Sequence, residues 1–258
     1  MLKSLVDKVA WVTGAGTGIG QAGAVALAKE GARVVLSGRR REPLLETQKI
    51  ISKAGGEAAV EPLDVVDAAA VQGVVDRIRE RYGRLDILVN NAGTNVTERH
   101  WDGVDTGKWD EVVDINLNGA FYCASAVLPI MRRQKDGLII NIASWAGRFD
   151  TYVTGPAYSA AKHGVVAMNA SINIEEFVNG IRACVICPGE VWTPIIDRRP
   201  DALAEDVKAK MLRSEDLGET ILFVARLPRH VCLNEILISP TWNRMYVNDA
   251  TRPPVEEG

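Results

Sequence analysis

Thr13-Gly14-Ala15-Gly16-Thr17-Gly18-Ile19-Gly20 follows directly on an apolar run, Val9–Val12, and opens an amphipathic stretch, Ile19–Glu30. A strand, a glycine turn and a helix in that order form the first unit of a longer alternation. Working outward, apolar runs at Arg33–Ser37, Ala58–Glu61 and Ile87–Asn90 are separated by the amphipathic segments Glu42–Ala54 and Asp67–Tyr82. The second half continues with a helix from about Trp109 to Arg132, a strand Leu138–Ile142, a helix from about Pro156 to Asn179, and strands Arg182–Cys187 and Glu235–Ser239. Seven strands alternating with helices predict an α/β fold, a doubly wound parallel sheet with helices on both faces. Gly31, Gly83, Gly137 and Gly180 each stand between a helix and the next strand, where a residue tolerant of positive φ suits the helix end.

The composition narrows the function classes. With 30 Lys and Arg against 33 Asp and Glu, the net charge of -3 lacks the clustered basic excess of a nucleic-acid binder; the one dense basic spot is Arg39-Arg40-Arg41. No apolar run approaches the ~20 residues of a membrane helix. The N-terminus has no leader pattern, since Val9–Val12 already belongs to a strand, so a cytoplasmic location is expected. At 258 residues the chain is expected to form one domain, 1–258. Cys184 and Cys187 have C-x-x-C spacing, but in a strand residues three apart face opposite sides, so these and Cys123 and Cys232 read as ordinary reduced cysteines. His100, His163 and His230 are too scattered for a metal cluster, and no metal is expected.

Glycines after the first strand let backbone N–H groups approach a pyrophosphate, and the following helix N-terminus adds partial positive charge. The glycines fall at 14, 16, 18 and 20, with Ile19 breaking the strict G-x-G-x-x-G spacing. No Gly-Lys-Ser/Thr follows, which excludes a nucleoside-triphosphatase loop. The second strand ends in Ser37-Gly38-Arg39, where an NAD site would place an acidic residue on the ribose; Arg39 instead suits a 2′-phosphate. NADP is therefore expected, with NAD possible, and Arg40 and Arg41 read as a solvated helix start. Asp64-Val65 and Asn90-Asn91-Ala92-Gly93 close the third and fourth strands, on the edge where open α/β sheets bind ligands.

Tyr158-Ser159-Ala160-Ala161-Lys162 lies in a helix, where residues four apart share a face. A phenol is a poor base at neutral pH, and an ammonium beside it favours the phenolate. Ser144 offers a hydroxyl at the end of the fifth strand, placed to hold a substrate oxygen.

Taken together, T-G-A-G-T-G-I-G, N-N-A-G, Asn116, Ser144, Y-S-A-A-K and Pro188-Gly189 stand in the order and spacing of the short-chain dehydrogenase/reductase family, and the chain resembles it from about Lys8 to Ser239. The resemblance implies a Rossmann-type fold and an NAD(P)-dependent oxidoreductase that interconverts an alcohol and its carbonyl. Tyr158 would be the acid and base, Lys162 would lower its pKa and bind the nicotinamide ribose, Ser144 would orient the substrate oxygen, and Asn116 would position a water linked to Lys162. The implied cofactor set comprises Gly14, Thr17, Gly18, Ile19 and Gly20 at the turn, and Ser37 and Arg39 after the second strand. Asp64 and Val65 join it at the adenine and Asn91, Ala92 and Gly93 beyond, with Tyr158 and Lys162, and with Pro188, Gly189, Val191 and Thr193 flanking the nicotinamide. The family also implies a homodimer or homotetramer built on the two long helices of the second half. The last strand lacks the glycine-rich ending of many members, and the substrate stays open.

Residues 190–214 delay the seventh strand and are expected to form a substrate loop with a short helix at Leu203–Leu212; residues 241–258 read as a polar tail. Trp145, Arg148 and Trp192 are candidate substrate contacts beside Ser144, with Arg148 holding an anion; the same residues could equally pack the loop or face solvent. Two other classes of function fit the residues less well. A non-catalytic NADP-binding regulatory module would have no need of Ser144, Tyr158, Lys162 and Asn116 together, and a sugar epimerase or dehydratase would need a further domain after Pro188.

Overall fold

A computed structural model describes residues 3–198, 203–243 and 246. The first half runs β1 (Val9–Thr13), α1 (Gly18–Lys29), β2 (Arg33–Gly38), α2 (Arg41–Lys53), β3 (Glu57–Pro62), α3 (Ala68–Tyr82) and β4 (Ile87–Asn90). The second half runs α4 (Thr106–Val113), α5 (Gly119–Gln134), β5 (Gly137–Ile142), α6 (Pro156–Glu176) and β6 (Ile181–Pro188). It closes with β7 (Val191–Trp192), α7 (Glu205–Ala209), β8 (Leu212–Arg213), α8 (Ser214–Ala225) and β9 (Glu235–Ile238).

Seven parallel strands form one sheet in the order β3-β2-β1-β4-β5-β6-β9. The chain builds outward from β1 to β3, then returns past β1 to place β4 on its other side. Helices that follow β1 and β4 therefore leave on opposite faces, opening a crevice at the carboxyl edge between these two strands.

Strand alternation divides the core into two layers. Ala10 and Val12 of β1 join Val34, Leu36, Val89 and Ile140 under α1, α2 and α8. Val9 and Trp11 face the other way, against Val74 and Ile78 of α3 and Val127 and Met131 of α5. All five residues of β1 are buried, as expected of a strand with helices on both sides.

The helix expected over Trp109–Arg132 is longer and interrupted. It begins at Thr106, because Asp105 caps it by accepting the Lys108 N–H at 2.8 Å. A π turn at Asp114–Asn118 then separates α4 from α5, with the Gly119 N–H bonded to the Asp114 carbonyl five residues back. The short helix expected at Leu203–Leu212 shrinks to α7, since Leu212 is drawn into β8, paired with β7. The tail expected at 241–258 lies mostly outside the described residues.

A chain of buried amides fastens the crevice floor. Asn90 Nδ2 donates to Asn141 Oδ1 at 3.0 Å, Asn141 Nδ2 to Asn169 Oδ1 at 3.0 Å, and Asn169 Nδ2 to the Asn234 carbonyl at 3.1 Å. The links join β4, β5, α6 and the approach to β9. Replacing Asn141 by Leu keeps the branched side-chain outline and strands the buried amide of Asn169, so the variant is expected to lose about 3 kcal/mol of stability in urea unfolding. A loss below about 1 kcal/mol would show that the amide chain adds nothing beyond packing.

Candidate functional site

The first turn can be built only with glycine. Gly14 and Gly18 hold φ of 63° and 58°, and a Cβ on Gly20 would stand 2.3 Å from the Gly14 carbonyl oxygen. The turn is braced from β4 rather than from within. Asn91 Nδ2 donates to the carbonyls of Thr13 at 3.1 Å and Gly14 at 3.2 Å, while Thr13 Oγ1 accepts the N–H groups of Asn91 and Ala92 at 3.0 and 3.1 Å. Asn91 is thus a brace as well as a wall of the crevice. Thr13 escaped the sequence reading because only the packed structure shows which strand end it serves.

The crevice has a volume of about 700 Å³ and brings most of the expected cofactor set together: Gly14, Thr17, Gly18 and Ile19 at the turn, Arg39, Asp64 and Val65 beyond it, Asn91, Ala92 and Gly93, and on the far side Pro188, Gly189, Val191 and Thr193. A Cβ on Gly18 would meet Thr193 Cγ2 at 3.2 Å, so the segment after β6 stands directly over the turn. A helix N-terminus, a glycine cradle without room for side chains and two arginines at one end suit a phosphorylated dinucleotide. Two expected members lie elsewhere. Ser37 is fully buried and its Oγ accepts the Trp11 indole N–H at 2.9 Å, so its hydroxyl faces the core. Gly20 packs behind the turn against Gly14 and Asn91 rather than lining it. Arg40, read as solvated, lines the crevice beside Arg39.

Ser144, Tyr158 and Lys162 all line this crevice. Ser144 ends the β5 segment and its Oγ accepts the Ala146 N–H at 3.2 Å, which begins a short 3-10 turn. Tyr158 and Lys162 come from the first two turns of α6, with Lys162 Nζ 5.5 Å from the Tyr158 ring centroid. Lys162 is 4% exposed, and its ammonium donates to the Ile142 carbonyl at 2.9 Å. Loss of hydration lowers its pKa from the ordinary 10.5 to about 8. His163, next in sequence, is exposed and hydrogen-bonded to its own helix at the Ser159 carbonyl, off the reacting face.

Asn116 does not reach the crevice wall. It sits in the π turn, 1% exposed, with Nδ2 donating to the carbonyls of Val112 and Thr94, each at 2.8 Å. Its place is behind Gly93, where a Cβ would stand 2.8 Å from Asn116 Oδ1 and 3.6 Å from Lys162 Nζ. Gly93 therefore has no side chain because the amide and the ammonium converge on its α-carbon.

The expected substrate contacts divide. Trp145 lines the crevice, 6% exposed, tilted at 31° against Phe149 with ring centroids 4.6 Å apart and edge-on to Tyr246 at 5.2 Å. Arg148 and Trp192 do not line it. Arg148 Nε pairs with Glu235 at 2.8 Å at the start of β9, and Trp192 lies under the Arg213 guanidinium, 4.7 Å from its ring centroid. Both serve to fasten chain segments. The wall that sequence reading missed comes from 94–99 and 151–155: Asn95 Nδ2 donates to the Thr154 carbonyl at 3.0 Å, and Asn95, Arg99 and Thr154 line the crevice with Glu190, Ile195 and Ile196. No spacing rule links these segments, which the fold alone brings together.

Cys184 and Cys187 face different layers, and burial first of all pushes their thiols up to about 12 and about 11, so neither is a ready nucleophile. Among the described residues no three potential ligands cluster for a metal ion, and no helix is long and apolar enough to cross a membrane.

A family model described as short chain dehydrogenase matches residues 8–203. An uncharacterized oxidoreductase of Staphylococcus aureus strain USA300 is 36% identical over 236 residues, covering 92% of this chain and 98% of its own. One from Staphylococcus saprophyticus is 37% identical over 238 residues, with coverage of 92% and 98%. Among solved structures, a metagenomic short-chain oxidoreductase in complex with NADP superposes with a TM-score of 0.80 at 30% identity, over 93% of this chain and 99% of its own. Levodione reductase does so with a TM-score of 0.83 at 30% identity, over 91% and 96%.

The buried ammonium has a measurable cost. Below pH about 8 Lys162 is charged in both the folded and the unfolded chain, and the folded state bears the whole desolvation penalty. Between about 8 and 10.5 the folded chain gives up the proton first, so stability contributed at this position rises with pH. Lys162→Met is expected to be more stable than the parent by up to about 3 kcal/mol near neutral pH, an advantage that shrinks as pH rises through that window. An advantage that stays constant with pH in thermal unfolding would contradict the assignment.

Proposed function

Because this chain belongs to the short-chain dehydrogenase family, whose members bind NAD(P), we propose that it interconverts a secondary alcohol, hydroxy acids and sugar alcohols included, and its carbonyl, with NADP preferred and Tyr158 as acid and base. The observation that carries this reading is that Ser144, Tyr158 and Lys162 line the same crevice as a glycine turn at a helix N-terminus. The bound nicotinamide would supply or accept the hydride.

The residues divide the remaining work. Gly14, Thr17, Gly18 and Ile19 hold the pyrophosphate against backbone N–H groups. Arg39 and Arg40, both exposed at the crevice end beyond β2, pair with a 2′-phosphate. Ser144 Oγ donates to the substrate oxygen and fixes it beside Tyr158. For reduction, Tyr158 Oη gives its proton to that oxygen; for oxidation, it takes the proton from the alcohol. Lys162 stabilises the phenolate left behind, from a distance at which a desolvated charge is felt strongly. Asn116, behind Gly93, holds the polar approach to Lys162 Nζ in place. Exposed Phe121 on α5 and exposed Ile174 on α6 support assembly of copies through these two helices.

Two variants test the reading. Tyr158→Phe is expected to retain NADPH binding, followed by fluorescence, while turnover over a panel of ketones and alcohols falls by about 10³-fold or more; undiminished turnover would remove Tyr158 from the chemistry. Arg39→Ala is expected to raise the KM for NADP about tenfold and leave that for NAD nearly unchanged. Equal effects on both cofactors would end the case for NADP preference.

A further inference from the structure

The amino edge of the sheet, opposite the reaction crevice, holds a second cavity of about 60 Å³. Residues at or just before the starts of β1, β4, β5 and β6 line it, together with the segment that precedes β1 and the turn that follows α8. One water needs about 10–15 Å³ of such space, so the cavity takes a few waters or one small ion. Nothing in the cofactor or proton-transfer roles above employs it.

Its charge is lopsided. Four cations, Lys3, Lys8, Arg182 and Arg229, line it against two carboxylates, Asp86 and Asp136. Both carboxylates are answered without Arg182 or Lys3. Asp86, 4% exposed, accepts from Lys8 Nζ at 2.8 Å, from Nε and Nη2 of Arg84, and from the Val9 N–H at 3.0 Å. Asp136 lies 3.6 Å from Lys8 Nζ and 3.4 Å from Arg229 Nε. Arg182 donates Nη1 to two backbone carbonyls, that of Pro228 at 3.1 Å and that of Val231 at 2.9 Å. Its Nε is buried and has no hydrogen-bond partner among the described residues. Desolvation, outweighing the attraction of Asp136, pulls the Arg182 pKa below the ordinary guanidinium value. Arg229 is set in place over Gly180, where a Cβ would stand 3.0 Å from its Nη2.

A buried donor left unmet is costly, and an excess of cations around an enclosed space is answered by an anion. We propose that this cavity binds a small oxyanion of the inorganic phosphate or sulfate class, held by Arg182 at the start of β6 and by the exposed Lys3 and Arg229 at the mouth. Several oxygens on one ion can meet donors from three separate segments at once, which a single-centre halide does less well. The ion joins the N-terminal segment to the sheet. That segment is already strapped to the end of α8, with the Lys3 N–H on the Arg226 carbonyl at 2.8 Å and Arg226 Nε on the Lys3 carbonyl at 3.1 Å. The site therefore acts on stability rather than turnover, and it owes nothing to the oxidoreductase reading.

The test follows the thermal midpoint of the full chain in sodium phosphate, sodium sulfate and sodium chloride at matched ionic strength. A dissociation constant on the order of 1 mM is expected for phosphate or sulfate. At about 10 mM either one then raises the midpoint by about 4 °C over chloride. The glycine turn with Arg39 and Arg40 offers these anions a rival place, so variants locate the effect. Lys3→Gln combined with Arg229→Gln removes two exposed cations and is expected to cut the shift to about 1 °C or less. Arg182→Met is expected to abolish the shift, whatever midpoint that variant starts from; should it fail to fold, the Lys3 and Arg229 double variant decides. Arg39→Ala combined with Arg40→Ala is expected to keep the shift. Phosphate and sulfate midpoints no higher than that in chloride overturn the site. So does a shift that survives the double variant at Lys3 and Arg229, or one that vanishes in the double variant at Arg39 and Arg40.

Discussion

The ammonium of Lys162 is held out of water against a backbone carbonyl, and much of the crevice is arranged to keep it there. Its acceptor, the Ile142 carbonyl, ends β5, so the position of α6 over that strand has to be held firmly. Two features do so from below and from the side. The Asn141–Asn169 link ties β5 to α6, and Gly147 lets the turn after Ser144 lie against the α6 backbone, since a Cβ there would stand 2.7 Å from the Lys162 carbonyl oxygen. A buried charge of this kind detracts from stability, and the packing around it has to offset that cost.

Much of this architecture was legible in the residues. Strand-helix alternation with a glycine turn in the first unit is enough to specify a parallel sheet, and a parallel sheet fixes which edge binds ligand. Tyr158, Lys162 and Ser144 could be found because helix periodicity and strand ends are local properties. What could not be read is what depends on distant segments meeting. Ser37 was expected at the ribose, yet the side chain that decides its role is Trp11, 26 residues earlier. The π turn around Asn116 was not legible, because one extra residue in a single turn leaves the helical period intact in the segments on either side.

The substrate wall shows the same limit more sharply. Arg148 was the natural candidate for an anion contact because it lies four residues from Ser144, but a 3-10 turn carries it away from the crevice and Glu235 takes its charge. Arg99 had no such proximity in sequence. It reaches the crevice because the loop after β4 and the loop before α6 are pinned together by Asn95 and Gly155. This part of the lining comes from connections, which obey no repeat, whereas Tyr158 and Lys162 stand on a regular helix.

The two-residue strands β7 and β8 have a consequence of another kind. They pair in parallel at Val191–Leu212 and Trp192–Arg213, with the Leu212 N–H bonded to the Glu190 carbonyl at 3.0 Å. The chain between them therefore leaves and re-enters the body of the protein through one narrow gate, closed again by Arg213 over Trp192. The two ends of the excursion are thereby held side by side, one following β6 and the other leading into α8. Doubling a closed loop costs only about 0.6 kcal/mol in entropy, so a gate whose two ends are already paired tolerates a change in the length of chain between them at small cost. Thr193 is the exception, since it stands over Gly18 and ties the start of the excursion to the glycine turn.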